Sequence, residues 1–256
     1  MPNHIQNRLV VTANSNDELN VFLSRIKSET EIDGKKRDID FNQIIPMPLP
    51  LRNTEASSRT DDGIYYYLVK TNQDELISKI LRSSHLYSMD RFSNRSEQEL
   101  NELFEIGKKY VAIFNECGAK DWYDWSIYHW DTKWNAYETT VEVVDECSVI
   151  LSFQTAWSGV PRIIGKLVEM FPTITFEYHF ADEDMGNNCG IGYSDGGEFS
   201  FQMLISDSEE SIETYALCWG YDIDDFYQDK DGYWHNREWE YYDEVFEDDC
   251  EYEEIK

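Results

Sequence analysis

The segment His4-Ile5-Gln6-Asn7-Arg8-Leu9-Val10-Val11-Thr12 reads as a strand. A helical period follows. Leu19, Phe22, Leu23 and Ile26 fall three to four residues apart, which predicts an amphipathic helix over 17–28 with Asn16 as its N-cap. A short segment over 40–45 runs into Pro46, Pro48 and Pro50, which exclude a continued helix or a central strand. Residues 51–63 are polar and read as a loop, and Tyr65–Val69 reads as a short strand or the start of a helix. Leu76, Ile77, Ile80 and Leu81 predict a helix over 72–82. A longer one over 96–116 carries Leu100, Leu103, Phe104, Gly107, Val111 and Phe114 on one face. Ser96 and Glu99 have capping-box spacing, and Gly118 suits the residue after the last turn.

Strand patterns dominate the second half. Segments 139–144 and 148–155 read as consecutive strands around an Asp145-Glu146 turn. Residues 160–171 read as a helix with Pro161 in its first turn. Ile174, Phe176, Tyr178 and Phe180 alternate with polar residues as a strand over 173–180, and 189–193 and 199–205 suit a further antiparallel pair. Residues 208–219 read as a helix. The predicted architecture is α+β, an antiparallel sheet with helices on one face. One domain would cover 1–220, with a helical insertion over about 71–120, and an acidic, aromatic-rich extension would cover 221–256.

Charge sharpens the picture. The 256 residues hold 22 Lys/Arg and 51 Asp/Glu, a net of −29. Residues 1–110 hold 15 basic against 17 acidic side chains, 111–220 hold 4 against 19, and 221–256 hold 3 against 15. Such a field repels phosphates, so direct nucleic-acid binding is not expected. An aromatic content of 15% argues against a wholly disordered acidic chain. No apolar run of membrane length exists, and Met1-Pro2-Asn3-His4 has neither a charged nor an apolar leader region, so a cytoplasmic setting is expected.

Candidate chemistry is sparse. Cys117, Cys147, Cys189, Cys218 and Cys250 are odd in number and widely spaced, which fits neither a disulfide framework nor a zinc clamp. No G-x-S-x-G, P-loop or H-E-x-x-H is present, and Gly186–Gly197 holds G-x-G without the rest of a dinucleotide fingerprint. No cofactor and no catalytic residue is indicated.

Residues 121–135 hold four of the eight tryptophans. Here the chain resembles the YubB ferredoxin-like domain family of conjugative plasmids and phages. The resemblance is carried by Met1-Pro2-Asn3 with Asn7-Arg8-Leu9, by Phe41–Pro48, and by Trp122-Tyr123-Asp124-Trp125. It continues through His129-Trp130, Thr132–Ala136, Phe153–Ser158 and Ala181-Asp182-Glu183 with Gly186 and Gly190. The family pattern has glycine where Asp131 stands, and prolines where Gly159-Val160-Pro161 follows Trp157-Ser158. The resemblance implies a ferredoxin-like fold, no established activity, and a role in element establishment or in countering host defence.

Two functional expectations follow. The first is a non-enzymatic accessory protein that binds a basic, nucleic-acid-binding host protein as an acidic mimic of nucleic acid. Its tail would supply Asp243, Glu244, Glu247, Asp248 and Asp249, with Trp239 and Tyr242 on one helical face. The second is a nucleotide-like ligand site, or an enzyme, built on Trp125, His129, Trp130, Lys133 and Trp134. The same tryptophans equally suit a core, their indole N–H groups bonded to nearby polar side chains. Asp229, Asp231 and Glu238 fit part of a calcium-loop spacing, although Tyr227 stands where the first ligand belongs, and Asp231-Gly232 equally suits a hairpin turn.

Overall fold

The structure, a computed structural model, describes residues 2–29, 31 and 36–238. The chain forms two compact units: Met1–Ile44 with Trp134–Lys256, and the helical segment Ile45–Lys133 inserted between them in sequence.

The first unit is built on β1 (His4–Thr12), α1 (Asn16–Ile26), α2 (Phe41–Ile44), β2 (Tyr137–Val143), β3 (Ser148–Ala156), α7 (Pro161–Met170) and β4 (Thr175–Asp182). A hairpin, β5 (Gly190–Asp195) and β6 (Glu198–Met203), and the helix α8 (Glu209–Trp219) follow. Sheet order is β2-β3-β1-β4-β5-β6, and every neighbouring pair is antiparallel. The first four strands with α1 and α7 make the β-α-β-β-α-β repeat of a ferredoxin-like domain, and β5–β6 lengthen its sheet beside β4.

Alternation sets which face is covered. Ile5, Leu9 and Val11 of β1, Val149, Leu151 and Phe153 of β3, and Phe176, Tyr178 and Phe180 of β4 are all buried. Phe22 of α1 meets Phe171 and Phe176 at 5.1 and 5.6 Å, and Phe41 of α2 meets Phe153 at 6.0 Å. The buried stripe Ile163, Ile164, Leu167 and Val168 of α7 completes this layer. The helix α8 lies outside the repeat and packs on the other parity: Ile212, Tyr215 and Ala216 cluster with Ala181 of β4. Helices therefore cover one face along the repeat and the end of the opposite face at β4. Residues 226–236 close a small hairpin of β7 (Phe226–Gln228) and β8 (Trp234–Asn236).

The helical unit holds α3 (Ser58–Lys70), α4 (Ile77–Ile80), α5 (Glu97–Cys117) and α6 (Trp122–Trp130), with short 3-10 turns between. The capping box Ser96/Glu99 forms, and Gly118 closes α5 at φ 75°. Residues 51–63 are not a loop throughout. The helix α3 begins at Ser58, with the Ser57 hydroxyl accepting the Thr60 amide, and Tyr65–Val69 lies inside it. The missing Cβ of Gly63 admits α5: an added Cβ would stand 2.8 Å from Ile106 Cγ2. The helix expected over 72–82 shrinks to a 3-10 turn and the single turn α4. At α1, Ser15 rather than Asn16 is the N-cap, accepting from the Glu18 amide.

Candidate functional site

Two places gather polar side chains. The first is one end of the sheet, where β1 starts, β3 ends and β4 ends. Pairing sets His4 opposite Ala156 and Ile5 opposite Asp182, so residues far apart in sequence meet there. The buried carboxylate of Asp182 accepts the Asn3 side-chain amide at 3.0 Å, the Asp184 backbone N–H at 3.1 Å and the Asn188 side-chain amide at 3.0 Å. Its backbone carbonyl accepts the Trp219 indole N–H at 3.0 Å. Asn188 also donates to the Trp157 carbonyl, and the Trp157 amide donates to the Asn3 carbonyl, both at 3.0 Å.

Trp157 itself sits at φ 72° and is 43% exposed. A left-handed backbone costs an L-residue about 1–2 kcal/mol, and glycine escapes that cost. Two residues on, Gly159 is sterically required, since a Cβ there would stand 2.3 Å from the Phe180 ring.

Beneath this corner lies a closed polar chain in the core. The Tyr178 hydroxyl donates to Asn7 Oδ1 at 2.6 Å and accepts the Val160 amide at 2.7 Å. Asn7 Nδ2 donates to Thr155 Oγ1, which donates to the Ser158 carbonyl. Every member is satisfied, which is what makes a buried polar network tolerable. It pins the turn that carries Trp157. At the rim, the Tyr137 hydroxyl meets His4 Nδ1 at 2.8 Å and donates to the Thr155 carbonyl at 3.1 Å. Burial, with the charges of Glu183 and Glu138 added, pushes the Tyr137 phenol up to about 12.

The second place is a cleft of about 440 Å³ in the helical unit, lined by Asp61, Arg82, Tyr87, Lys120, Tyr123 and Asp124 among others. The buried Lys120 ammonium meets Asp121 at 2.7 Å, Asp61 at 3.1 Å and Asp124 at 3.5 Å, and Arg82 reaches Asp124 at 3.2 Å. Burial opposes the charge on Lys120. The hydrogen bond to Asp121 and the three carboxylate charges outweigh it and hold the lysine well above its ordinary pKa. Burial raises Asp124 despite its cationic neighbours.

The expected ligand residues sit as follows. Trp125 and Trp130 are buried on α6, their rings 5.3 Å apart, with His129 stacked on Trp125 at 4.4 Å. The Trp130 indole donates to the Ile45 carbonyl at 2.9 Å. Lys133 ends the helical unit, whereas Trp134 belongs to the sheet unit, 39% exposed and 6.4 Å from the Tyr137 ring. Asp229 closes the β7–β8 turn: one carboxylate oxygen accepts the amides of Asp231 and Tyr233, and the other meets His235 at 3.2 Å. Glu238 is exposed just past β8. Among the described residues no group of three or more His, Cys, Asp or Glu could hold a metal ion. Trp239, Tyr242, Asp243, Glu244, Glu247, Asp248 and Asp249 lie outside the described residues.

Sequence reasoning missed the Asp182 hub, the Asn7–Thr155–Tyr178 chain and the Lys120 cluster. A signal existed for the last: Lys120, Asp121 and Asp124 at i, i+1 and i+4 around a helix start.

The family described as a ferredoxin-like domain in Api92-like protein matches residues 129–228. That match begins at the end of α6 and runs through the sheet unit to β7. The resemblance to YubB thus holds as far as a ferredoxin-like domain, and the matched description is that of Api92-like proteins. Among solved structures, a protein api92 from Yersinia pseudotuberculosis is 11% identical, with 80% of this chain and 99% of that one covered at a TM-score of 0.41. Curated proteins give no match. Among the described residues, no helix is long and apolar enough to cross a membrane.

Proposed function

We propose that this chain is a non-enzymatic accessory protein that binds a basic, nucleic-acid-binding protein through its acidic ferredoxin-like unit, in competition with nucleic acid. One observation carries the reading: the charge divides with the fold. The sheet unit, 1–44 with 134–256, holds 11 Lys/Arg against 37 Asp/Glu, a net of −26. The helical unit, 45–133, holds 11 against 14, a net of −3. A field of one sign confined to one unit steers and holds a partner of opposite sign, and it excludes phosphates from the same surface. The bacterial cytoplasm, and a partner serving host defence, are the setting that the family resemblance implies.

The test is capture from a bacterial lysate on the full chain and on a chain ending at Glu238. A nucleic-acid-binding protein should be retained in about 0.05 M salt and released by about 0.2 M salt or by duplex DNA. Retention that ignores salt and DNA would count against mimicry.

A second reading, a small-ligand site, is favoured by the Lys120 cleft, where a buried cation, two tyrosines and a carboxyl of raised pKa converge. Nucleotides at millimolar concentration should then raise the melting temperature, and no rise with any of them removes the reading.

A further inference from the structure

We propose that the outer edge of β6 is an interface at which two copies of this chain pair their sheets across a two-fold axis. The inference stands apart from the binding function proposed above, and neither needs the other.

The edge is open and regular. The strand β6 ends the sheet, and its ladder with β5 runs without a shift from Glu198 opposite Asp195 to Met203 opposite Gly190. The Leu204 amide donates to the Cys189 carbonyl. Antiparallel pairing alternates, so Glu198, Ser200 and Gln202 turn their backbone groups to β5, and Phe199, Phe201 and Met203 turn theirs outward. Among the described residues, nothing pairs with these outward amides and carbonyls. The aromatic side chains leave them clear. A Cβ on Gly192 would stand 2.6 Å from the Phe199 ring, and one on Gly190 3.1 Å from that of Phe201, so both rings lie back over β5.

The opposite edge is blocked. The strand β2 shifts register between Tyr137 and Thr140, with Glu138 at φ 47°, and it carries the carboxylates of Glu138 and Glu142. A bulge and charges of this kind keep an edge strand from pairing. In β6 there is no bulge, no proline and no lysine, and its single charged residue, Glu198, stands at its end.

Register and charge identify the occupant as a second copy. A two-fold axis at Phe201 sets that residue against its own copy, Phe199 against Met203 and Ser200 against Gln202, so every outward amide and carbonyl gains a partner. Glu198 falls opposite Leu204, and no two carboxylates face each other. Because β2 cannot pair in the same way, the assembly closes at two copies. The net charge of −29 on each chain opposes association, and salt screens that repulsion. Dimerisation should therefore strengthen as salt rises, the reverse of binding to a basic partner.

Sedimentation of the full chain tests this, from about 1 μM to about 0.1 mM and in about 0.05 M and about 0.5 M salt. A two-chain species should grow with concentration and with salt. S200K/Q202K should weaken it about tenfold, because the register sets each new ammonium against another, although the net charge falls. S200K/Q202E sets ammonium against carboxylate and should restore it. Both positions are exposed, so the variants should melt with the wild type at the lowest concentration. M203P removes one outward amide without touching the ladder to β5 and should also weaken the dimer. Should M203P unfold, the lysine variants carry the test.

A chain that is monomeric at every salt and concentration would overturn the proposal. So would a dimer that ignores S200K/Q202K, one that S200K/Q202E weakens equally, or a species that grows beyond two copies. A monomer whose capture of a basic, nucleic-acid-binding protein is lost in a folded M203P variant would assign the edge to that partner and overturn the proposal as well.

Discussion

Gly107 of α5 stands so close to Gly63 of α3 that a Cβ on it would lie 2.1 Å from the Gly63 carbonyl oxygen. In an open helix interior, glycine to alanine stabilises by about 1 kcal/mol. Here G107A should do the reverse, because backbone cannot step aside, with a loss of about 1–3 kcal/mol or more. G63A should also destabilise, although an added Cβ there meets the flexible Ile106 side chain as well as the Leu103 carbonyl. Urea unfolding followed by helical ellipticity decides it, and a G107A protein as stable as wild type would refute the close crossing.

The buried chain under Trp157 makes a second prediction. Y178F removes one oxygen and strands two groups, the Val160 amide and Asn7 Oδ1. Unsatisfied buried groups cost about 1–3 kcal/mol, more than the net value of the bonds lost. Equilibrium unfolding of Y178F should show that loss. A neutral result would mean that water or a shifted turn satisfies both groups.

These two cases show what the sequence could and could not disclose. The helix α5 was legible because its signals are local: apolar residues at helical spacing, Ser96 with Glu99 at its start, Gly118 at its end. The strand β4 was legible by alternation, and β3 by its apolar run after the Asp145-Glu146 turn. The start of α3 was hidden because residues 51–63 are polar, and the apolar residues it buries, Ile64, Tyr66 and Leu68, follow only after them. At the sheet end, Asn3, Asn7, Thr155, Trp157 and Asp182 were all visible within the residues that carry the family resemblance. Their meeting was not, since it depends on the order β3-β1-β4. Trp125 and Trp130 gave a strong local signal, and the structure places both in the interior.

Lys120 is the cation that Asp61, Asp121 and Asp124 share, so removing it should expose a pH dependence. K120M leaves Asp61, Asp121 and Asp124 without the cation they share, with only the exposed Arg82 still reaching Asp124. Breaking such a buried group by deleting one partner costs about 3–5 kcal/mol. Burial already raises the Asp124 carboxyl, and removing the Lys120 charge that opposes that shift raises it further in the folded state. Stability should therefore recover as pH falls through the raised Asp124 value and be lowest at neutral pH. Melting temperatures from pH 4 to pH 8 would show the recovery for K120M. A variant whose deficit is the same at every pH would refute the charge account.

Tyr137 offers a titration at the sheet end. Burial and the neighbouring Glu183 and Glu138 hold its phenol up to about 12. A raised folded pKa contributes stability that is present below the ordinary tyrosine value of about 10 and lost as pH rises through 12. The phenolate absorbance of wild type minus Y137F should show one group titrating near the upper value. A difference curve centred on the ordinary value would place Tyr137 in open solvent.

Asp131 closes α6 at φ 64°, at the position where the YubB pattern has glycine. The helix ends there because its last carbonyls need a left-handed residue, and glycine supplies that conformation without strain. Aspartate reaches it at a cost, less than a bulkier side chain would pay because a short polar group tolerates the region. D131G should therefore stabilise the helical unit, by about 0.5–1 kcal/mol after the greater freedom of glycine in the unfolded chain is set against the relief. D131A should destabilise it, since alanine brings a Cβ without a polar group to compensate. Thermal melts of the two variants beside wild type separate the accounts: if D131A matches D131G, backbone strain at this cap does not govern the stability of α6.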